Sequence, residues 1–454
     1  VFWRMFGRRG TVVGSRASYT WEFGVRRRDA PNDTSWGTIR DFNGDGYDDL
    51  AVVAELATTA QTSEALLVPG SERGLQPPRR SGIIMPRLPD RASLGDFNGD
   101  GLADVVWQSR TEDTSFEAWI DVIHGTPDGL RQVARLEYHR IGGCPSPAFP
   151  SAMDWDGDGY SDIVVSIEMR CDPFRSPVAA FLFIYRGSGH GLPAVPQAVV
   201  RTDERFLHPA SFVQNPLGDV DLDGYGDAFF VSRFSGSGTT SIRAESFVMY
   251  GSPVGSPRYE RVTGVSERGI VRPLGDLDGD GHIDWSLWLQ GTGELRVYRH
   301  SGGYMAPSDT LRDTVTMFPG GQFAADGQND GGDINGDGLS DVIVSAVDAH
   351  DEERLGRPVD QGRVYVYSGM HGGLARAPSI LVRPPRAEGG ETLSEVFGSR
   401  AMSPGDVNGD GIDDMVMGDQ VGRSLCFSFG RLGTAATRPD GCVSGWWPSY
   451  EKYF

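Results

Sequence analysis

The chain has 454 residues and a formal net charge of −20 at pH 7, with 62 acidic and 42 basic residues. So acidic a chain repels the phosphate backbone, and the composition excludes nucleic acid as the main partner. No apolar run approaches the about 20 residues that a membrane-spanning helix needs.

The N-terminal segment is the first predicted element. Residues 1–6 and 18–23 alternate apolar and polar side chains, which predicts two strands. They fit the last hairpin of a preceding immunoglobulin- or fibronectin-like domain, which would make the chain a processed or truncated piece. Alternatively, residues 19–25 add a strand that closes a ring. Residues 1–30 are therefore set apart as a terminal hairpin and linker.

A nine-residue acidic loop then occurs seven times. The first copy is residues 41–49, and the others begin at Asp96, Asp154, Asp219, Asp276, Asp333 and Asp406. In every copy the first, fifth and ninth residues are Asp, the third is Asn or Asp, and the sixth is Gly. Successive copies begin 55, 58, 65, 57, 57 and 73 residues apart. Periods of this size indicate solenoids, propellers or arrays.

The residue types of the loop predict a calcium site. Ca²⁺ takes six to eight oxygen ligands and tolerates irregular geometry. Side chains at positions one, three, five and nine supply such oxygens, and the variable seventh residue supplies its main-chain carbonyl; His282 is accordingly expected to bind through its carbonyl rather than its imidazole. The candidate ligands are Asp41, Asn43, Asp45, Tyr47 and Asp49; Asp96, Asn98, Asp100, Leu102 and Asp104; Asp154, Asp156, Asp158, Tyr160 and Asp162; Asp219, Asp221, Asp223, Tyr225 and Asp227; Asp276, Asp278, Asp280, His282 and Asp284; Asp333, Asn335, Asp337, Leu339 and Asp341; and Asp406, Asn408, Asp410, Ile412 and Asp414.

The residues after each loop exclude an EF-hand. An EF-hand needs a bidentate Glu at its twelfth position, and none of the seven copies has one: the residues there are Val52, Trp107, Val165, Phe230, Leu287, Val344 and Met417. A short apolar run follows each loop, such as residues 50–53 or 342–344, and predicts a buried strand.

Each repeat contains about four predicted strands. A second apolar run ends in a small turn, as at residues 181–187 and 363–369, and a further extended stretch, as at 379–383, leads to the next loop. Four strands per repeat is the size of a propeller blade.

These repeats resemble the FG-GAP repeats of integrin α-subunit propellers and their bacterial relatives. Residues 333–345 and 362–369 carry the resemblance best, and Phe397-Gly398 matches the Phe-Gly pair of the family. The Gly-Ala-Pro that follows the loop strand in the family is missing, and the fourth loop has Leu222 where the others have Gly. The resemblance implies an all-β, seven-bladed β-propeller over residues 31–433, with a calcium loop in each blade on one rim and ligand contacts usually on the opposite face.

The calcium is expected to be structural and to place the protein outside the cell. The seven loops contain 24 candidate carboxylates, so seven ions would change the net charge from −20 to about −6. Extracellular calcium modules bind with Kd of order 10⁻⁴–10⁻³ M, and such sites would be empty in the cytosol. The four cysteines agree with an oxidising compartment and predict Cys144–Cys171 and Cys426–Cys442 disulfides, with buried free thiols as the alternative.

The C-terminal segment, residues 434–454, is the other candidate for closing the ring. Residues 441–450 are favoured over residues 19–25 for that role. Trp446 and Trp447 either cover a sheet edge or mark a docking surface. For Trp155, inside the third loop, the alternatives are packing and a sugar-stacking platform.

No nucleotide-binding or protease motif occurs, and the eight His are scattered. The first functional hypothesis is a non-enzymatic adhesion or recognition module that is secreted or on a bacterial surface and binds a protein or polysaccharide. The alternatives are a carbohydrate-active lyase or hydrolase, or its accessory module, with a carboxylate pair in the central funnel, and an architectural spacer.

Overall fold

The computed structural model describes the repeats and parts of both ends. The residues described are 2–3, 6–9, 12–17, 21–22, 40–57, 62–85, 91–110, 118–136, 149–169, 179–201, 213–235, 242–252, 257–262, 269–289, 294–299, 307–312, 329–346, 352–354, 357–359, 362–383, 397–419, 424–431, 438–444 and 451–453. Every regular element among them is a β-strand, and none of these residues is helical. No helix in this part of the chain is long and apolar enough to cross a membrane.

The strands follow the repeats. In chain order they are β1 (Phe2–Trp3), β2 (Phe6–Arg9), β3 (Val12–Ala17), β4 (Trp21–Glu22), β5 (Leu50–Ala57), β6 (Thr62–Val68), β7 (Arg79–Met85), β8 (Arg91–Gly95), β9 (Asp104–Arg110), β10 (Ala118–His124), β11 (Arg131–Leu136), β12 (Phe149–Met153), β13 (Asp162–Met169), β14 (Ala179–Tyr185), β15 (Ala198–Arg201), β16 (Val213–Gly218), β17 (Asp227–Ser235), β18 (Ile242–Tyr250), β19 (Arg258–Val262), β20 (Gly269–Gly275), β21 (Asp284–Leu289), β22 (Glu294–Tyr298), β23 (Asp309–Arg312), β24 (Asn329–Gly332), β25 (Asp341–Ala346), β26 (Glu352–Arg354), β27 (Arg357–Val359), β28 (Arg363–Tyr367), β29 (Gly369–Met370), β30 (Gly373–Leu374), β31 (Ile380–Val382), β32 (Phe397–Gly405), β33 (Asp414–Asp419), β34 (Ser424–Ser428), β35 (Gly441–Ser444) and β36 (Glu451–Tyr453).

Seven antiparallel four-stranded sheets form the blades of a β-propeller. In order from blade 1 to blade 7 they are β36-β5-β6-β7, β8-β9-β10-β11, β12-β13-β14-β15, β16-β17-β18-β19, β20-β21-β22-β23, β24-β25-β28-β31 and β32-β33-β34-β35. The first strands of neighbouring blades contact each other, as β12 does with β8 and β16, so these strands surround the central axis. The expected all-β, seven-bladed fold is confirmed.

The sheet of blade 1 is completed from the C-terminus. Its first strand is β36, which pairs with β5 through Glu451↔Ala54 and Tyr453↔Val52. Closure by the C-terminal segment, residues 434–454, rather than by residues 19–25 agrees with this pairing, but the closing strand is Glu451–Tyr453 and not part of 441–450, of which Gly441–Ser444 is the fourth strand of blade 7. The propeller therefore extends beyond the expected boundary at residue 433.

The apolar runs are continuous because each blade is buried on both faces. In β5, Ala51 and Val53 pack toward blade 2, where they join Val105 and Trp107. The alternate residues of the same strand, Leu50, Val52 and Ala54, pack toward Val416 and Phe427 of blade 7. Comparable clusters lie between the other neighbouring blades, and the hydrophobic core is thus divided among seven interfaces.

The remaining strands and the cysteines complete the fold. At the N-terminus β1 pairs with β4 and β2 with β3, and neither pair joins a blade sheet in the described part of the chain. Two small hairpins, β26-β27 and β29-β30, lie in blade 6 and in the turn that follows its third strand. A disulfide joins Cys426 to its cross-strand partner Cys442. The predicted Cys144–Cys171 pair lies outside the described residues.

Candidate metal sites

All seven acidic loops lie on one rim of the ring. Each loop precedes the second strand of its blade, as residues 333–341 precede and enter β25. The end of the third strand of the same blade closes over the loop. Consecutive loops also touch each other around the rim, from loop 1 to loop 7, so the predicted ligand sets form a circle of similar sites.

The ninth residues, here called the floor aspartates, tie each loop to its blade. They are Asp49, Asp104, Asp162, Asp227, Asp284, Asp341 and Asp414, each at most 2% exposed. In loop 6 Oδ2 of Asp341 accepts the N–H of Ile334, at 3.1 Å, and Oδ1 accepts the N–H of Gly369, at 3.0 Å. Gly369 lies two residues after the third strand, β28, so one carboxylate joins the start of the loop to the turn after a strand, 28 residues away.

The fifth residues, here called the lip aspartates, are exposed in all seven loops. They are Asp45, Asp100, Asp158, Asp223, Asp280, Asp337 and Asp410. Each makes a local bond: Oδ1 of Asp337 accepts the N–H of Leu339, at 3.0 Å. The first residue of the loop accepts more, since Asp333 takes the N–H groups of Asp337 and Gly338. These bonds aim the side-chain oxygens toward the inside of the loop.

In three loops the carboxylates of the first, third and ninth residues converge. One oxygen from each lies within 4.8 Å of the others in the sets Asp154, Asp156 and Asp162; Asp219, Asp221 and Asp227; and Asp276, Asp278 and Asp284. The other four loops have Asn at the third position and therefore offer an amide oxygen there. The structure thus brings the predicted side chains of one loop together, while the lip aspartates lie outside these closest groups.

The electrostatics of the loops fit a bound cation. Burial is the main cause that raises the pKa of Asp49, Asp162, Asp227, Asp284, Asp341 and Asp414 to about 8. The pKa of Asp104 is raised well above its usual range for the same reason. In the third loop Oδ1 of Asp156 is buried and accepts no hydrogen bond from the described residues. Several buried carboxylate oxygens that repel one another form the kind of ligand set that a hard cation stabilises.

The loops are also the joints between blades. In six of the seven loops, the N–H of the eighth residue donates to the carbonyl of the first residue of the preceding loop around the ring. The pairs are Asp48 with Asp406, Ala103 with Asp41, Ser161 with Asp96, Gly226 with Asp154, Ser340 with Asp276, and Asp413 with Asp333. Three eighth side chains return a bond: Asp48 and Asp413 accept the N–H of Asp406 and Asp333, and Ser161 accepts that of Asp96. The sequence interpretation missed this role; its only signal was a small or polar residue at position eight in six of the seven loops, with Ile283 as the exception.

The seventh side chains His282 and Tyr47 contact the loop of the preceding blade. Nδ1 of His282 lies 3.2 Å from the carbonyl oxygen of Val220, in the preceding loop, so the imidazole is engaged at the joint. The Tyr47 ring lies against Gly409 in the same way. The main-chain carbonyls of these residues stay predicted ligands. Trp155 is 2% exposed and packs between blades 3 and 4, which contradicts a sugar-stacking role.

Sequence reasoning also missed three arginines. Arg186, Arg258 and Arg299 each pair with the third residue of a loop: Asp156 at 2.8 Å, Asp221 at 2.7 Å and Asp278 at 2.9 Å. These are the three loops that have Asp at that position.

Comparisons with known proteins agree with the fold and the loops. The model of the FG-GAP-like repeat matches residues 96–165. Human integrin alpha-8 is 34% identical over 124 residues, which cover 26% of this chain and 11% of that protein. Integrin alpha-PS5 of Drosophila melanogaster is 37% identical over 86 residues, or 19% of this chain and 8% of that protein. The matches thus span about a tenth of the length of these relatives.

One solved structure supports the fold alone. A putative 6-phosphogluconolactonase from Bacteroides uniformis superposes with a TM-score of 0.50 at 12% identity, covering 89% of this chain and 99% of that one. The repeated loops, the seven blades and the sequence matches together support the similarity of this chain to FG-GAP repeat proteins and to integrin α-like β-propellers.

Proposed function

We propose that the protein is a calcium-stabilised extracellular recognition or adhesion module that binds a protein or polysaccharide without chemical catalysis. The observation that carries this proposal is the position of the acidic loops. They are both the candidate calcium sites and the joints between blades, as the bonds from Asp48 to Asp406 and from Asp413 to Asp333 illustrate. An ion that fixes such a loop fixes two blades at once.

The expected stabilisation is comparable to the stability of a domain. At about 1 mM Ca²⁺ and a Kd of about 0.1 mM, one site adds about 1.4 kcal/mol. Seven sites would add about 10 kcal/mol, within the 5–15 kcal/mol that separates most native domains from their unfolded state. The ring would therefore depend on calcium at extracellular concentrations and be weakened in the cytosol.

The compartment and the mode of action rest on separate support. The Cys426–Cys442 disulfide favours an oxidising environment, as secreted and surface proteins have. The similarity to integrin α-subunits favours recognition by the propeller rather than catalysis. The acidic loops account for most of the charge, so the charge says little about the ligand. From the similarity to integrin α-subunits, we propose that the ligand surface lies on the face away from the calcium rim.

Calcium removal tests this proposal. Elemental analysis of the purified chain should give about seven Ca²⁺ per molecule, and thermal unfolding should show a large decrease in Tm when EDTA replaces 1 mM CaCl₂. Magnesium at 1 mM is the control and should restore little of the Tm, because Mg²⁺ demands a smaller and more regular site. A Tm that does not respond to EDTA would contradict the proposal.

A further inference from the structure

Third-position charge and arginine pairing go together in this chain. Loops 3, 4 and 5 have Asp at the third position and an arginine paired with it. Loops 1, 2, 6 and 7 have Asn there, and in the described residues its amide nitrogen bonds to Asp49, Asp100, Asp341 or Asp410 of its own loop. The third position of each loop therefore carries either an uncharged amide or a carboxylate that is paired with an arginine.

The pairing gives the side chains at positions one, three, five and nine the same total formal charge in all seven loops; Asp48 and Asp413, at position eight of loops 1 and 7, are not predicted ligands and lie outside this sum. A ligand set with three Asp and one Asn has a charge of −3. A set with four Asp and one paired arginine has the same charge, and Arg258 and Arg299 also contact a second carboxylate outside the set, that of Glu260 and of Asp309. Without its arginine, loop 5 would bind the same ion with one negative charge more than loop 6.

The arginines come from two different places in the blade, so the pairing does not follow from one repeated sequence position. Arg186 and Arg299 directly follow the third strands of blades 3 and 5. In blade 4 that strand ends with Tyr250, and the arginine comes from the outer strand instead. Arg258 lies over the Tyr250 ring, 3.4 Å from its centroid, and so reaches Asp221.

The geometry leaves the carboxylates able to bind an ion. Arg186 and Arg258 contact Oδ2 of Asp156 and Asp221, and Oδ1 of both aspartates is buried and accepts no hydrogen bond from the described residues. Each of these aspartates also offers an oxygen to the convergent group of its loop. One oxygen can therefore face the ion while the other holds the guanidinium.

We infer that Arg186, Arg258 and Arg299 set the calcium affinity of loops 3, 4 and 5, by cancelling the fourth carboxylate so that all seven sites fill over the same range of calcium concentration. This inference rests on the proposed calcium function and deepens it. The arginines are tuning residues that act through Asp156, Asp221 and Asp278, and they do not themselves touch the ion.

The test is a calcium-binding isotherm of the full chain, measured by competition with a chromophoric chelator. The wild type should titrate as one class of sites. Arg299→Gln should make one site about tenfold tighter, since a positive charge near the ion is removed from a buried position. The order of effect should be Arg299, Arg186, Arg258, because their side chains are 14%, 34% and 58% exposed and solvent screens the exposed ones.

Two control variants test whether the charge of Arg299 is what sets the calcium affinity. The double variant Arg299→Gln with Asp278→Asn copies the charge of an Asn loop, and its affinity should return to within about twofold of the wild type. Arg299→Lys keeps the charge and should also stay close to the wild type. Thermal unfolding in calcium verifies that each variant is folded.

The outcomes separate the two proposals. An unchanged isotherm for Arg299→Gln in a protein that binds calcium would overturn the tuning role alone. Weaker binding would also overturn it, since the arginine would then position Asp278 as a ligand. A wild type that takes up no calcium would contradict the proposed function, and the inference with it.

Discussion

The floor and lip aspartates are the same residue type in the same nine-residue loop, yet the structure gives them different surroundings. The floor residue Asp341 is buried and accepts four hydrogen bonds, from Ile334, Gly369 and two groups of Asn335. The lip residue Asp337 is exposed and accepts one, from Leu339. The difference indicates that the floor carboxylate is part of the fold as well as a candidate ligand, whereas the lip carboxylate is available mainly to an ion.

The largest expected effect is the pH dependence of the free energy of unfolding, because all seven floor aspartates contribute to it together. Burial raises the pKa of six of them to about 8 from 3.8. A raised folded-state pKa contributes stability that is fully present below pH 3.8 and is lost as the pH rises through 8. In EDTA, the protein should therefore lose more than about 5 kcal/mol of stability between pH 5 and pH 8.

With calcium the dependence should reverse in part, since binding requires ionised carboxylates and releases protons. The increase in Tm caused by 1 mM Ca²⁺ should be large at pH 8 and small at pH 5. Calorimetric titration in two buffers of different ionisation enthalpy counts the protons released. A calcium effect on Tm that is equal at both pH values, with no proton release, would contradict the account of the floor.

Substitution within one loop compares floor and lip directly. Asp341→Ala removes the acceptor for four donors, and each buried donor left unpaired costs about 1–3 kcal/mol. We expect a loss of at least about 3 kcal/mol in denaturant unfolding, both in EDTA and in calcium. Asp337→Ala should cost less than about 1 kcal/mol in EDTA, and about 1.4 kcal/mol more in 1 mM calcium through the lost site. If the two variants lost equal amounts of unfolding free energy in EDTA, the proposed difference between floor and lip aspartates would be contradicted.

A third aspartate, Asp413, lies next to the floor aspartate of loop 7 in the sequence. It tests whether a buried aspartate of the loop that is not a predicted ligand contributes to stability independently of calcium. Oδ2 of Asp413, the eighth residue of loop 7, accepts the N–H of Asp333 across the blade interface at 2.9 Å. Asp413→Ala leaves that donor without its acceptor and should cost about 1–2 kcal/mol. Because Asp413 is not a predicted ligand, the loss should be the same with and without calcium. A loss that appears only in calcium would make Asp413 part of the ion site.

The sequence predicted the repeated loops and strands of the blades, but it did not predict the contacts that join one blade to the next. Seven Asp-rich loops before apolar runs sufficed for the blades, since a strand such as Leu50–Ala57 is apolar on both faces only if sheets cover both. The sequence did not reveal the partners of position eight or the arginines, because these lie in other blades or strands, at sequence separations from 21 residues for Arg299 to 358 for Asp48. The closing strand, Glu451–Tyr453, has no motif of its own.

The smallest expected effect concerns the backbone directly before the lip aspartate. The fourth residue of loop 4 is Leu222, with a φ of 57°, where the other six loops have Gly with φ of 70–80°. A side chain in this left-handed conformation costs about 1–2 kcal/mol, partly offset because Gly loses more entropy on folding. Leu222→Gly should therefore raise the stability by about 0.5 kcal/mol, measured by denaturant unfolding, and Leu222→Ala, which keeps the strain, should not. Since Leu222 is 44% exposed, little packing is lost in either variant, and a decrease on Leu222→Gly would mean that its side chain supports the loop.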